Sequence, residues 1–434
     1  MSQSSSSPTR FASWAALALF TVISVFCLVD YFVMGALLNP VKTSLGLTDE
    51  QLGRVGLTFT LANIAALPFF GFFGDRYPRK WLILFGLVLW SVATVGSGLS
   101  QGLGVLLVWR AIVGIGEGSF RSLAPSWLGD LFGSKFRGIA FALYTGPGPA
   151  AYMIAYVFGG EIGEALGWHA AFFIAGIPGL ILALLFLFLK EPVRGSADGF
   201  ATPPPKPTLS DALVLLRDPL YLLIIIGAAA YTFSLGGLSF WGSAYFHRAF
   251  GTTNRDATHF FGMGYLFPGA VSTLIGGFIA GWLHGRVRAG YAWWLAGLSL
   301  LSFLTIIPAL LATNLADAEK WIWIEIIFAV GGSAVTAPLL FETVPISLRA
   351  TALAGLLVVS GVGGNLLQTW GMGILSDRIG LHNALFAVPT VYLLGTGIWT
   401  AVAVLLLRRA RAVIPEQSIL DEGAQTSIDP VPAL

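Results

Sequence analysis

The sequence predicts an all-α polytopic membrane protein, with twelve transmembrane helices in two pseudo-symmetric six-helix bundles. Three observations carry the prediction. Of 434 residues, 56% are hydrophobic and only 11% charged, with a mean hydropathy of +0.79, whereas a soluble domain carries about 25% charged residues. Twelve apolar stretches reach about 20 residues, the length that crosses a hydrocarbon core of roughly 30 Å. Short motifs also recur at offsets of 210 to 213 residues, close to half the chain. A soluble globular protein is excluded, and about 36 residues per span and loop together leave no room for a sizeable extramembrane domain.

The first ten residues, MSQSSSSPTR, lack the basic start, short apolar core and small-residue cleavage site of a signal peptide. The stretch from Phe11 to Ala36 is therefore read as a retained first span. Spans two to six run from Leu52 to Phe73, Trp81 to Leu99, Gly104 to Phe132, Phe136 to Gly160 and Trp168 to Leu189. The run EPVRGSADGFATPPPKPTLSD reads as a linker from its Pro, Gly and Ser content. Spans seven to twelve follow at Leu220 to Tyr245, Phe260 to Leu283, Tyr291 to Leu311, Trp321 to Val344, Thr351 to Leu375 and Asn383 to Leu407. The organisation is a tail at 1–10, a first bundle at 11–190, a linker at 191–219, a second bundle at 220–408 and a tail at 409–434. The bundles echo each other: Phe136-Arg137-Gly138-Ile139-Ala140 returns as Leu348-Arg349-Ala350-Thr351-Ala352 at offset 212, and Ala124-Pro125 as Ala337-Pro338 at offset 213. Gly71 to Arg76 has a degenerate echo at Gly281 to Arg286, offset 210.

With both termini cytoplasmic, sixteen basic residues fall on the cytoplasmic side and six on the other. This positive-inside bias fixes the orientation, in a cell (inner) membrane. The net charge of +2 is scattered over short loops and forms no nucleic-acid patch. The single cysteine, Cys27, excludes an intramolecular disulfide or a Cys-based metal cluster. The five histidines lie in loops or at helix ends, with neither H-E-x-x-H nor G-x-S-x-G. No enzyme, cofactor or metal is expected.

The loop after span two reads GFFGDRYPRK, with Gly71, Gly74, Asp75, Arg76, Arg79 and Lys80 in a run of ten. It resembles the signature loop of the major facilitator superfamily. That resemblance implies the major facilitator fold, two bundles rocking about a central cavity, with the loop's acid helping to latch the cytoplasmic side. A tight Gly turn places Asp75 to meet a helix N-terminus or Arg349 of the other half, and Glu342 reads as a latch partner for basic loops. The alternative for Arg76, Arg79 and Lys80 is that they set topology alone.

Span four carries WRAIVGIGEGSFRSLAPSWLGDLF. Arg110, Glu117 and Arg121 stand at i, i+7 and i+11, within about 40° on one helix face. Such charges cost about 2.5 to 3.5 kcal/mol each against lipid, so the face looks into the bundle or a wet cavity. Glu117 and Arg121, four apart with the acid first, can also neutralise each other as a purely structural pair. The segment resembles the spinster homologue branch of the superfamily at Arg110, Val113, Gly114, Gly116, Glu117, Ser119, Ala124, Pro125, Asp130, Leu131, Phe132 and Arg137. The branch moves lysophospholipids and sphingoid phosphates in animals, and the resemblance implies proton coupling for a bacterial-type member.

Two departures stand out. The branch has an Asp-Arg pair in span one, where this chain has Asp30 followed by Tyr31, and Arg121 replaces a small or aromatic residue. Arg121 is therefore expected to supply the cation for Glu117, with Asp30, Glu117 and Arg121 as the proton-coupling set. Asp30 lies about nineteen residues into span one, a rise of roughly 28 Å, at a depth between Arg110 and Glu117. The second half holds few charges within its spans, and Glu325 reads as interfacial. Tyr31, Tyr231, Trp241, Asn365 and Gln368 join Arg110 and Arg121 as substrate-binding candidates. The GPGP run at 146–149 loosens span five.

The expected function is secondary transport by alternating access, coupled to protons and moving an amphipathic anion such as a lysophospholipid or sphingoid-phosphate-like lipid. Proton-coupled transport of a small organic anion such as a sugar acid is the second reading, and a non-transporting sensor the third. A bilayer, protons and the anion are the expected partners, and a monomer suffices.

Overall fold

A computed structural model describes residues 10–194, 214–345 and 348–425. Residues 1–9 of the expected first tail, most of the linker (195–213) and 426–434 lie outside the described residues. Ten helical stretches among the described residues are long and apolar enough to cross a membrane. The other two predicted spans, five and ten, cross as pairs of shorter helices.

In the first half, α1 (Arg10–Ala36) is followed by a short α2 (Leu38–Leu45), between the first two predicted spans. Then come α3 (Asp49–Arg76), α4 (Arg79–Gly98) and α5 (Leu103–Leu131). Span five is α6 (Ser134–Thr145) and α7 (Gly148–Ala165), and α8 (Trp168–Phe186) completes the half. In the second half, α9 (Pro219–Phe250) leads to span eight, made of α10 (Asn254–Gly264), a π turn at Tyr265–Gly269 and α11 (Ala270–His284). Span nine is α12 (Gly290–Leu311), and span ten is α13 (Leu315–Val330) and α14 (Thr336–Thr343). Span eleven is α15 (Arg349–Val359), two π turns (Ser360–Asn365, Leu367–Gly371) and α16 (Met372–Ile379). A short α17 (Leu381–Ala384) precedes α18 (Ala387–Gln425). The expected tail is thus helical well past Leu407, as an extension of span twelve.

The elements begin and break where side chains say they should. Thr48 and Gln51 close a reciprocal capping box on α3, while Asp218, Thr253 and Asn314 accept first-turn N–H groups of α9, α10 and α13. Span five divides at GPGP because two prolines remove two backbone donors within three residues. Pro268 sits in the π turn of span eight. The interruption of span ten falls on Gly331-Gly332-Ser333-Ala334-Val335, where small residues hold a helix weakly.

Twelve crossings return the chain to the side where it started, so both termini leave from one end of the molecule, the terminal end. The opposite, far end is closed. There a single apolar core runs through both halves, from Val33, Leu37 and Tyr156 to Trp241, Phe261 and Ile322. Toward the terminal end the core divides in two, around Phe20, Trp127 and Phe186 in one half and Tyr221, Leu339 and Trp399 in the other. The far-end contact is close enough to need glycine. A Cβ on Gly373 would stand 2.4 Å from the Asp49 carbonyl oxygen, and one on Gly53 2.5 Å from that of Thr369.

Candidate transport site

Between the halves lies a cavity of about 650 Å³. The interrupted helices form much of its wall: Gly146 and Pro149 from the break in span five, Ser333 and Ala334 from that in span ten, and Asn365 and Gln368 from the π turns of span eleven. Where a helix unwinds, backbone and small side chains make room that a continuous helix would fill. Phe32, Phe59, Tyr152, Tyr156, Phe240 and Tyr265 give an aromatic lining. Arg110 is the one charged side chain among the described residues that line it.

Arg110 is 2% exposed and Asp30 fully buried. Arg110 Nη1 donates to Asp30 Oδ1 at 3.1 Å, and Nη2 reaches the Asp30 carbonyl at 3.3 Å. The other carboxylate oxygen of Asp30 accepts from Thr94 Oγ1 at 2.7 Å. Span one meets span four here through this pair. A buried pair with these bonds holds together, while loss of one partner strands the other charge. Thr94 escaped the sequence reading because an isolated threonine in an apolar span carries no signal of its partner.

Glu117 is also fully buried, and neither of its carboxylate oxygens has a hydrogen-bond partner. Arg121 Nε stands 4.0 Å away, an ion pair too long for a hydrogen bond. Eleven residues past Arg110, Arg121 lies about 16 Å nearer the terminal end. Its side chain is 38% exposed in the open cleft, with the guanidinium 6.0 Å from the Tyr31 ring centroid. The expected stripe therefore divides into two pairs, Asp30 with Arg110 and Glu117 with Arg121.

The remaining substrate candidates fall in different places. The Tyr31 hydroxyl donates to Asn365 Oδ1 at 3.4 Å, and Gln368 Nε2 to the same oxygen at 2.7 Å, which joins the halves across the cavity. Tyr231 lines the cavity and donates its hydroxyl to the Ala329 carbonyl. Trp241 does not reach the cavity. It is fully buried, with its indole N–H on the Gln368 carbonyl at 2.8 Å, because its face of α9 packs into the core. The Tyr152 and Tyr156 rings stack at 4.1 Å and both hydroxyls donate to the Ser239 carbonyl. Neither tyrosine was singled out from sequence, since aromatic residues are too common in spans to discriminate.

The far end is locked by polar contacts between the halves. Asp49 accepts from Arg248 at 2.7 Å and Ser376 at 2.5 Å, with Lys42 of its own half at 2.6 Å. Asp377 accepts the N–H groups of Asp49 and Glu50 at 2.9 and 2.8 Å, at the start of α3. Glu161 meets Arg255 and His259, each at 3.1 Å.

At the terminal end Arg76, Arg79 and Lys80 of the signature loop bind within their own half. Arg79 is buried between Asp130 at 2.6 Å and Glu191 at 3.1 Å and donates to Ser126. Lys80 Nζ donates to the Leu187 carbonyl, and Arg76 folds back onto the Phe72 ring and carbonyl. Arg194 caps the end of α3 through the carbonyls of Gly74, Asp75 and Tyr77. A Cβ on Gly74 would run into Leu123 at 2.1 Å, whereas Gly71 has room. Asp75 and Arg349 form no ion pair in this state. Arg349 donates instead to the Phe341 carbonyl at 3.0 Å, and Glu342 pairs with His284 of its own half at 3.0 Å rather than with a basic loop. The physical reason is the separation of the halves at this end.

The chain matches the sequence profile of the Major Facilitator Superfamily over residues 19–364. It is 27% identical over 456 residues to Protein spinster homolog 1 of Homo sapiens, covering 97% of this chain and 86% of that protein. It is 26% identical over 392 residues to Protein spinster of Drosophila melanogaster, covering 86% of this chain but only 64% of the fly protein's length. The fold is similar to a crystal structure of a bacterial homolog to the human lysosomal transporter Spinster, inward-facing and unoccupied. The TM-score is 0.83 at 22% identity, over 92% of this chain and 99% of that one.

Proposed function

The chain belongs to the major facilitator superfamily, as a transporter of the spinster type, and from that premise we propose proton-coupled alternating access for an amphipathic anion of the lysophospholipid or sphingoid-phosphate kind. The observation that carries this reading is the cavity itself, with Arg110 the one cation among the described residues that line it and eight aromatic side chains on its wall. An anionic headgroup gains from Arg110, and an acyl or sphingoid chain from the rings of Phe32, Phe59 and Phe240.

Arg110 is already held by Asp30, so anion and carboxylate compete for one guanidinium. A proton on Asp30 weakens its hold and turns Arg110 toward the anion. Loss of that proton restores the pair and expels the anion. Glu117 supplies the second exchange: ionised, it draws Arg121 across the 4.0 Å gap; neutral, it releases Arg121 into the cleft. With sixteen basic residues assigned to the terminal side, that side is cytoplasmic and the state is inward-facing. Both termini then lie in the cytoplasm of a cell with this protein in its inner membrane. In the outward-facing state the far-end contacts part, and Asp75 with Arg349 closes the terminal end. One chain contains both halves, so a monomer is sufficient.

The test is a pH-jump flux assay in proteoliposomes that offers a lysophospholipid and a sugar acid separately to wild type and to Glu117→Gln. Lysophospholipid flux should follow the proton gradient and be lost in the variant. Sugar-acid flux alone would overturn the substrate class. Gradient-independent flux untouched by the substitution would leave Glu117 as one half of a structural ion pair.

A further inference from the structure

The second half hides a carboxyl that this transport cycle does not use. Glu325, expected at a membrane interface, is 1% exposed in the middle of α13. The bundle closes around it because α13 is flanked by α12, α18 and the π turn of span eight. Its Oε1 accepts the Tyr392 hydroxyl at 2.7 Å, and its Oε2 has no hydrogen-bond partner. The titratable groups facing it are three phenols: Tyr231 from α9, Tyr265 from the π turn and Tyr392 from α18. Among the described residues no lysine, arginine or histidine makes an ion pair with it.

The surroundings distinguish Glu325 from a sealed structural carboxyl. Ala329 lies one turn further along α13, and its carbonyl accepts the hydroxyl of Tyr231. Tyr231 and Tyr265 both line the cavity, as do Val330, Ser333 and Ala334 at the interruption of span ten. The carboxyl is thus one layer of phenols behind the cavity wall, beside the weakest point of its own span. The position also has a counterpart. Span ten repeats span four, and the offset of 213 residues between Ala124-Pro125 and Ala337-Pro338 carries Glu117 to Val330, five residues beyond Glu325. Each half therefore buries a carboxyl in the same span, about a turn and a half apart in the repeat. The first has a cation beside it and the second has none. An isolated carboxylate in such surroundings is strongly disfavoured, and a proton on Oε2 removes the charge while Oε1 keeps its bond from Tyr392.

We infer that Glu325 is a second proton-binding site, in the second half, whose proton exchanges with water in the central cavity through the layer of Tyr231 and Tyr265. The inference depends on no particular substrate. Its test is infrared difference spectroscopy on the full chain in nanodiscs, with Glu325→Gln, Tyr392→Phe and Glu117→Gln variants. At neutral pH the wild type should show a protonated-carboxyl C=O stretch that Glu325→Gln removes and Glu117→Gln leaves in place. The band should shift on transfer to D₂O. An unchanged spectrum in Glu325→Gln, or a band that ignores D₂O, overturns the inference. Should Glu325→Gln fail to fold, Tyr392→Phe decides, because it removes the donor on Oε1 and leaves the carboxyl: a moved band supports the assignment and an unmoved one contradicts it. None of these outcomes alters the flux result expected for Glu117→Gln.

Discussion

Asp49→Ala should shift the molecule toward a state open at the far end. Asp49 is 3% exposed and binds Arg248 and Ser376 across the interface between the halves. A hydrogen bond to a charged group contributes about 1.5 to 3 kcal/mol, with the lower part of that range appropriate to a partly exposed partner. Arg248 is 25% exposed, so the two bonds together stabilise the closed far end by about 3 kcal/mol. At about 1.4 kcal/mol per decade, the ratio of far-end-open to far-end-closed molecules should rise by about 100-fold. Pulsed electron spin resonance reads that ratio from spin labels at Leu166 and Leu311, which are 69% and 63% exposed on opposite halves. Cys27, the sole cysteine, is first replaced by alanine. Lys42→Ala is the control, since Lys42 binds Asp49 from the same half and its loss should move the ratio far less. Identical distance distributions in wild type and Asp49→Ala would refute the assignment of Asp49 as a far-end lock.

Gly373→Val should open the far end in the same spin-label assay, because its Cβ meets a backbone oxygen at 2.4 Å that cannot turn aside; a closed distribution would show that the helices simply slide. Asp30→Ala strands Arg110 and should cost about 3 to 5 kcal/mol in thermal unfolding, most of it recovered by adding Arg110→Leu; a double variant no more stable than the single would contradict the pairing. Asp218 lies just outside α9. Partial burial acts to raise its pKa, but hydrogen bonds from Arg409 and the Leu220 N–H outweigh that and hold it below the usual carboxylate range. Such a group contributes stability above its unfolded pKa of about 4 and loses it as pH falls through the lower folded value. Acidification through that window should therefore cost wild type more melting temperature than Arg409→Ala, and equal losses would count against the bond.

The fold was largely legible because membrane spans announce themselves by length and composition, and the 213-residue echo disclosed the halves. Where helices break was legible only at GPGP, since proline has a local and unconditional effect on the backbone. The break in span ten falls on residues, Gly331 to Val335, whose glycines weaken a helix without forbidding one, so local sequence alone does not announce it. Span four disclosed its charged residues through helical periodicity, but not which would pair. Asp30 and Arg110 are 80 positions apart, and Asp49 and Arg248 199. Glu325 was misplaced for a related reason. Its place four residues into the predicted span ten reads as an interface in sequence, while the helices that pack around α13 come from elsewhere in the chain.

Transport of the proposed anion through one cavity, open to each side in turn, is measured directly by counterflow. Proteoliposomes loaded with unlabelled lysophospholipid should take up the labelled lipid faster than empty ones, because a loaded carrier returns through the same cavity. Uptake that is indifferent to the internal lipid would contradict alternating access and leave a passive pore in its place.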